Sequence, residues 1–504
     1  MKLTVFHSKE LAVVWITVIL CLLPVWGFCA NVTLRIYDRT ATLLTPADAR
    51  SLMTNGAAGW TNDALIDPAT LQNLVEQPLF NSAGSLVFTI AGSAAPALAV
   101  NWPTTRGYSL LILDNLGSGF STTATINFTY QAALDAKKHL DASLTARPDY
   151  VHSSAFQTAY DNAATHIQNA QAAGDEPTRG QEGYLALDDL AMAMDTLLAE
   201  YGIAFTQARL GTELPWVGFT LDTVANYNSD LDLAKSIGGV YTWVRIVIDH
   251  GTQPSAYTAA VNYAKSIGVK VMLLPIDSQF ASGYTRQAYV DRVKLFVDAF
   301  PQVDAWEVGN EINGNWLDIG GQSLIPLKVA DCAAYVRSTR PGKLVVANLY
   351  WQLGTDAPQW SLFNWARANL PPATRADIDV FLFSAYVEDA PLGLAFDKVM
   401  RTLQSEFPSH QIGMGEQDYW AADTSKAWWY IDSADPTTTA RRGLAGQSYA
   451  AATGYASSVG GVFWWYFSEE MPGDPALQDA VRNVVAAFGV PGAPAPPRNL
   501  RIQR

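Results

Sequence analysis

Basic residues are scarce in this chain. Its 33 Lys and Arg stand against 47 Asp and Glu, a formal net charge of −14 over 504 residues. Nucleic-acid binding by counterion release needs a basic face, so this balance argues against that class. Cysteine is scarcer: only Cys21, Cys29 and Cys332 are present, and the first two lie in or near the N-terminal apolar stretch. With Cys332 alone beyond them, no internal disulfide framework is expected, and Cys332 reads as a small buried apolar residue. The six His residues show no paired metal spacing, so no catalytic metal or other cofactor is expected. After the first 30 residues no apolar run is long enough to span a bilayer. What is abundant is aromatic surface, with 16 Trp and 21 Tyr.

The N-terminus has the layout of an export signal. Lys2 and Lys9 precede an apolar stretch from Leu11 to Trp26, and Gly27-Phe28-Cys29-Ala30 is a cleavage zone. Residues 1–30 are therefore expected to be removed, placing the protein outside the cytoplasm: secreted, periplasmic or on the cell surface, with no membrane association after cleavage. An uncleaved anchor is the alternative.

Residues 31–130 are rich in Thr, Ser, Gly and Ala, with β-like runs at Val32–Tyr37, Ser85–Ile90, Tyr108–Leu113 and Ala124–Tyr130. They predict a β-rich accessory domain, either a carbohydrate-binding module using Trp60 or Trp102 or a scaffold packed on the rest of the chain. From 131 to 212 the apolar period becomes helical. Leu185 to Tyr201 reads as a strong helix and Gly174 to Gly183 as a connection, which predicts a hairpin or small bundle. From 213 to 490 strand and helix alternate. The strand candidates are Trp216–Leu221, Val240–Ile248, Val269–Pro275, Ala305–Asn310, Lys343–Ala347, Val380–Ala385, Gln411–Gly415 and Gly461–Phe467. Ala-Lys-Ser-Ile-Gly occurs at 234–238 and again at 264–268, each copy closing a helix before a strand. Eight strands with intervening helices predict an α/β fold, a (β/α)8 TIM barrel. An open doubly wound sheet is the runner-up, and it lacks a Gly-rich phosphate loop. Residues 491–504 read as a Pro-rich tail or linker.

Such a barrel keeps its chemistry at the carboxyl ends of its strands. Strand four ends in Trp306-Glu307-Val308-Gly309-Asn310-Glu311 and strand seven in Gly415-Glu416-Gln417. Two carboxylates facing each other over the barrel axis suit glycosidic hydrolysis, in which one must hold a proton and the other stay ionised. Glu307 is even in spacing with Glu311, which allows an inward side chain, but it is read by preference as a salt-bridging residue at the strand bottom or facing a helix. Asp222, Asp249, His250, Asp277 and Asn348 follow strand ends; each is placed to bind sugar hydroxyls, and the default reading is a helix cap or loop residue.

The Asn310-Glu311 pair after strand four and Glu416 ending strand seven resemble clan A of the glycoside hydrolases. Val308-Gly309-Asn310-Glu311-Ile312 is also similar to the strand-four motif of endo-β-1,4-galactanases and of cellulase- and mannanase-type families. The likeness covers the barrel only. It implies Glu311 as acid/base, Glu416 as nucleophile, retention of configuration and a carboxylate separation of about 5–5.5 Å. It further implies that Asn310 binds the sugar 2-hydroxyl, that Arg245 and Tyr386 flank the nucleophile, and that a strand-eight Trp floors the subsite of the cleaved sugar. Trp464 and Trp465 compete for that place: neighbouring strand residues face opposite ways, so only one of them lines the cavity, and Trp465 is the one favoured. Trp316 and Trp420, in loops above the barrel, are further stacking candidates. The implied partner is a β-linked glycan. A non-hydrolytic binding protein and a transglycosylase are the alternatives.

Overall fold

The computed structural model describes residues 29–54, 63–92, 94–210, 214–317, 324–354, 357–387, 390–419 and 436–489. Residues 1–28 of the expected signal, Trp60, Trp420 and the tail at 491–504 lie outside them.

Eight strands make two small sheets: β1 (Cys29–Arg35), β2 (Asp63–Ile66), β3 (Asn73–Glu76), β4 (Phe80–Ser82), β5 (Ser85–Ala91), β6 (Ala97–Thr104), β7 (Gly107–Leu113) and β8 (Ala124–Asn127). One sheet runs β4-β5-β1-β8 and the other β3-β2-β6-β7. β8 is shorter than its sequence suggests, because Asn127 accepts from the Tyr130 backbone N–H and caps a helix at Phe128–Thr145.

Two further helices follow, Ser154–Ala172 and Glu176–Arg209. The expected Gly174–Gly183 connection is therefore largely helix. A Cβ on Gly180 would run into the Tyr37 ring, and one on Gly183 into the Tyr130 backbone. These glycines permit close packing; they do not make a turn.

β9 (Trp216–Leu221), β10 (Thr242–Val247), β11 (Lys270–Leu274), β12 (Ala305–Gly309), β13 (Leu344–Tyr350), β14 (Val380–Ser384), β15 (Gln411–Gln417) and β16 (Ser458–Trp464) close into one parallel barrel in chain order. Its strands are buried along nearly their whole length, as a sheet covered on both faces requires. Of the two Ala-Lys-Ser-Ile-Gly copies, the first keeps Gly238 inside its helix, and Gly239 takes the left-handed φ of 58°. In the second, Gly268 itself turns at φ 74°. Inside the barrel, Trp216 and Trp243 stack with centroids 4.1 Å apart, and Met272, Val346, Leu382 and Phe463 pack around them. This apolar plug fills the floor, so the polar residues above it lie at the strands' carboxyl ends.

The N-terminal layers share the barrel's hydrophobic core. The Leu110 backbone N–H donates to the Leu392 carbonyl, and Asn73 and Asn364 exchange hydrogen bonds. Helix Glu176–Arg209 approaches Pro436–Ala451 so closely that a Cβ on Gly202 would strike the Ala450 carbonyl. Across this junction Arg147 pairs with Asp397, which also accepts from Ser143 and from Tyr455 at 3.0 Å. Trp102 is fully buried against Phe128 and Tyr184, which removes it as a sugar platform and makes it part of a scaffold.

Candidate active site

Arg245 enters the barrel from β10, two residues above Trp243 and on the same face. No part of its side chain reaches solvent. Nε and Nη2 donate to the two Glu307 carboxylate oxygens at 2.6 and 2.8 Å, and Nη1 forms an ion pair with Glu416 Oε1 at 2.5 Å. Glu307 thus points into the barrel, correcting the strand-bottom or helix-facing expectation. A cation buried this deeply requires paired carboxylates, and Glu307 supplies a bidentate one. Burial lifts the Glu307 carboxyl to about 7, even with Arg245 pulling it down.

The β12 pairing shifts register between Glu307 and Gly309. Such irregularities re-aim the side chains that follow. Glu311, two residues beyond the strand, adopts φ 46°, a left-handed conformation uncommon for a non-glycine residue. Strain of this kind is found at functional sites, where the surroundings hold it in place. Here the Ile312 backbone N–H donates to the Asn348 carbonyl, and Asn313 is tied to the Tyr350 and Trp360 backbone.

The two carboxylates have different company. Glu416 receives the Tyr386 hydroxyl at 2.6 Å as well as the Arg245 ion pair. Among the described residues, Glu311 receives the Ser278 hydroxyl alone, at 3.0 Å. Burial raises both. For Glu311 the negative charges of Glu416 and Asp277 add to that rise and carry it well above the ordinary carboxylate value. For Glu416 burial and the Asp277 charge still raise it, but the Arg245 guanidinium and the Tyr386 hydroxyl oppose that rise. The site therefore holds its proton more firmly on Glu311 than on Glu416.

Asn310 is held from both ends. Its Nδ2 donates to Asp277 Oδ1 at 3.2 Å, and its Oδ1 accepts from Asn348 Nδ2 at 2.8 Å. Asn348 also donates to Ser384 Oγ at 2.8 Å, linking three neighbouring strands. Gly415 has to be glycine, because a Cβ there would overlap the Asn348 amide. Asn348 lies within β13, not after it, since that strand runs on to Tyr350. Asp277 stands before a short helix, but its side chain makes no cap bond there. Both residues belong to the site, correcting their reading as cap or loop residues.

Trp465 is half-buried at the mouth, its ring 5.5 Å from the Arg245 guanidinium carbon. Trp464 is fully buried and donates its indole N–H to Glu470 at 2.9 Å, so it is removed from the sugar-binding set. Phe463 belongs to the apolar plug inside the barrel, so Trp465, two residues on, shares its side and Trp464 faces the other way. Trp316 is 37% exposed and packs edge-on to Tyr350. Cys332 is fully buried in helix Ile325–Thr339, and burial pushes its thiol pKa up, away from nucleophilic use. Among the described residues no group of three or more His, Cys, Asp or Glu is arranged to hold a metal, and no helix is long and apolar enough to cross a membrane.

The fold and the site define a closed (β/α)8 barrel with two opposed strand-end glutamates at its mouth. No family model matches the chain, and no curated protein matches it. Solved structures do match. One is a GH10 xylanase from Bispora sp. MEY-1, at 14% identity and TM-score 0.38, covering 57% of this chain and 99% of that one. Another is a fungal β-1,4-galactanase, at 16% identity and TM-score 0.34, covering 50% and 89%. A third is a β-glucosidase from Thermotoga maritima, at 10% identity and TM-score 0.37, covering 53% and 87%. The barrel rests on its own strand order, and the reading of its site rests on its own residues.

Proposed function

We propose that this protein is an exported retaining β-glycoside hydrolase, endo-acting on a β-linked glycan by double displacement. The observation that carries the reading is the contrast between Glu416, held by Arg245 and Tyr386, and Glu311, which receives the Ser278 hydroxyl.

In the first step a Glu416 oxygen bonds to the anomeric carbon as the bond to the leaving oxygen breaks, and Glu311 gives that oxygen its proton. In the second, Glu311 takes a proton from water. The water oxygen bonds to the anomeric carbon, and the Glu416–sugar bond breaks. Asn310, oriented by Asp277 and Asn348, presents its amide to the 2-hydroxyl. Trp465 offers its face to the sugar being cleaved.

The test is turnover of a panel of β-linked glycans and aryl β-glycosides by the wild type, Glu311→Ala and Glu416→Ala, with the first-formed anomer read by NMR. Hydrolysis that gives the β-anomer first, and is lost in both variants, supports the reading. An α-anomer as first product contradicts retention. Activity persisting in either variant contradicts the assignment of residues.

A further inference from the structure

Beside the carboxylates lies a group of exposed aromatic rings that the two-step chemistry does not use. Ser278, which donates to Glu311, begins the short helix Ser278–Ala281, and Phe280 stands two residues further on. Phe280 is 36% exposed. Its ring stacks on His250, from the loop after β10, at 4.9 Å and 25°. His250 is exposed as well, and Tyr284 fixes it with an edge-on ring contact and a hydrogen bond of 3.1 Å between Tyr284 Oη and His250 Nδ1. The helix packs against the turn Asn315–Leu317, which brings the exposed Trp316 onto the adjoining loop.

Single exposed apolar residues need no explanation. Phe280, His250 and Tyr284 differ in being held at set angles by one another, and Phe280 follows two residues after the Ser278 that touches Glu311. Their chain neighbours Asp249 and Gln279 are exposed too, although Asp249 accepts from the Tyr257 hydroxyl and Gln279 donates to Asp277. A flat, exposed ring face matches a pyranose ring, which presents C–H bonds on its face.

We propose that Phe280 and His250, with Trp316 on the neighbouring loop, form a stacking subsite for a pyranose unit at least one sugar removed from the cleaved bond. This rests on the glycosidase reading and deepens it, because a subsite of this kind makes the enzyme depend on chain length.

The experiment measures kcat/KM and, by calorimetry, binding for a series of β-linked oligosaccharides of increasing length. It compares the wild type, Phe280→Ala and Phe280→Trp, with folding checked by thermal melting. In the wild type, kcat/KM should climb with each added sugar until the subsite is filled. Phe280→Ala should lose about tenfold at one length increment and leave shorter substrates within about twofold, and Phe280→Trp should restore the increment. An equal loss on every length, or no loss on any, overturns the subsite. Length-dependent binding that Phe280→Ala abolishes, with no turnover by the wild type, sustains the subsite and removes the hydrolase reading instead. Neither binding nor turnover by the wild type removes both.

Discussion

Arg245 and Glu416 meet at 2.5 Å, and neither side chain is more than 3% exposed. A charge pair this deep persists only where further partners compensate the lost hydration. Glu307 does so for Arg245 and Tyr386 for Glu416. Glu307 and Glu416 thus share one guanidinium, and altering either end should retune the other.

Glu307→Gln should therefore move the acid limb of the kcat/KM–pH profile to lower pH. Freed of one carboxylate, Arg245 acts more fully on Glu416, which the proposed mechanism needs ionised. The same variant should melt at a lower temperature, because it loses one arm of a buried charge network. An acid limb that stays in place or moves up contradicts the sharing of one guanidinium.

Tyr386→Phe should move the same limb the other way. The hydroxyl donates to the Glu416 anion and holds its pKa down, so its loss lets burial raise that pKa further. A fall in kcat of about tenfold or more should accompany the shift. The basic limb, set by protonated Glu311, should move little.

Asn348→Ala removes the donor that fixes the Asn310 amide without deleting any group that touches substrate. Loss of preorganisation should lower kcat/KM by about ten- to a hundredfold. The effect should shrink on a 2-deoxy substrate, which has no 2-hydroxyl for Asn310 to bind. Equal losses on both substrates would mean that Asn348 matters for the barrel alone.

The N-terminal layers are welded to the barrel through Asp397. Burial alone would raise its carboxyl, but Arg147, Arg401 and Ser143 outweigh burial and hold its pKa below the ordinary value. A depressed carboxyl gives stability that is present above the unfolded pKa of about 3.9 and lost as pH falls through the lower folded value. Arg147→Met leaves Asp397 short of a partner and should cost about 3–5 kcal/mol at neutral pH, less in acid. Chemical denaturation at pH 7 and pH 3 measures both. Residues 213–490 expressed alone should aggregate, because the faces under helix Glu176–Arg209 become exposed.

Much of this architecture is legible in the chain. Regular alternation of strand and helix numbers the strands, and numbering them places Glu311 and Glu416 at the mouth. What the chain hides depends on which way side chains turn. Asp277 before a helix has the pattern of an N-cap, and only its lack of a cap bond shows it free to hold Asn310. Glu307 and Glu311 are four residues apart on one strand end, but a register shift lies between them. Even spacing therefore could not say that Glu307 meets Arg245. Gly180 and Gly183 look like turn residues and are instead contact points under Tyr37 and Tyr130. Trp464 and Trp465 are indistinguishable by type, and alternation along the strand separates them.

The proposed mechanism turns on Glu416 being the nucleophile and Glu311 its proton donor. Azide rescue of Glu416→Ala on an activated aryl β-glycoside is the sharpest test of those roles. The small anion enters the space left by the carboxylate and attacks the same face of the sugar. The variant should be silent without azide and should turn over with it, giving an α-glycosyl azide as product. Hydrolysis by Glu416→Ala without azide, or a β-glycosyl azide, would contradict both assignments.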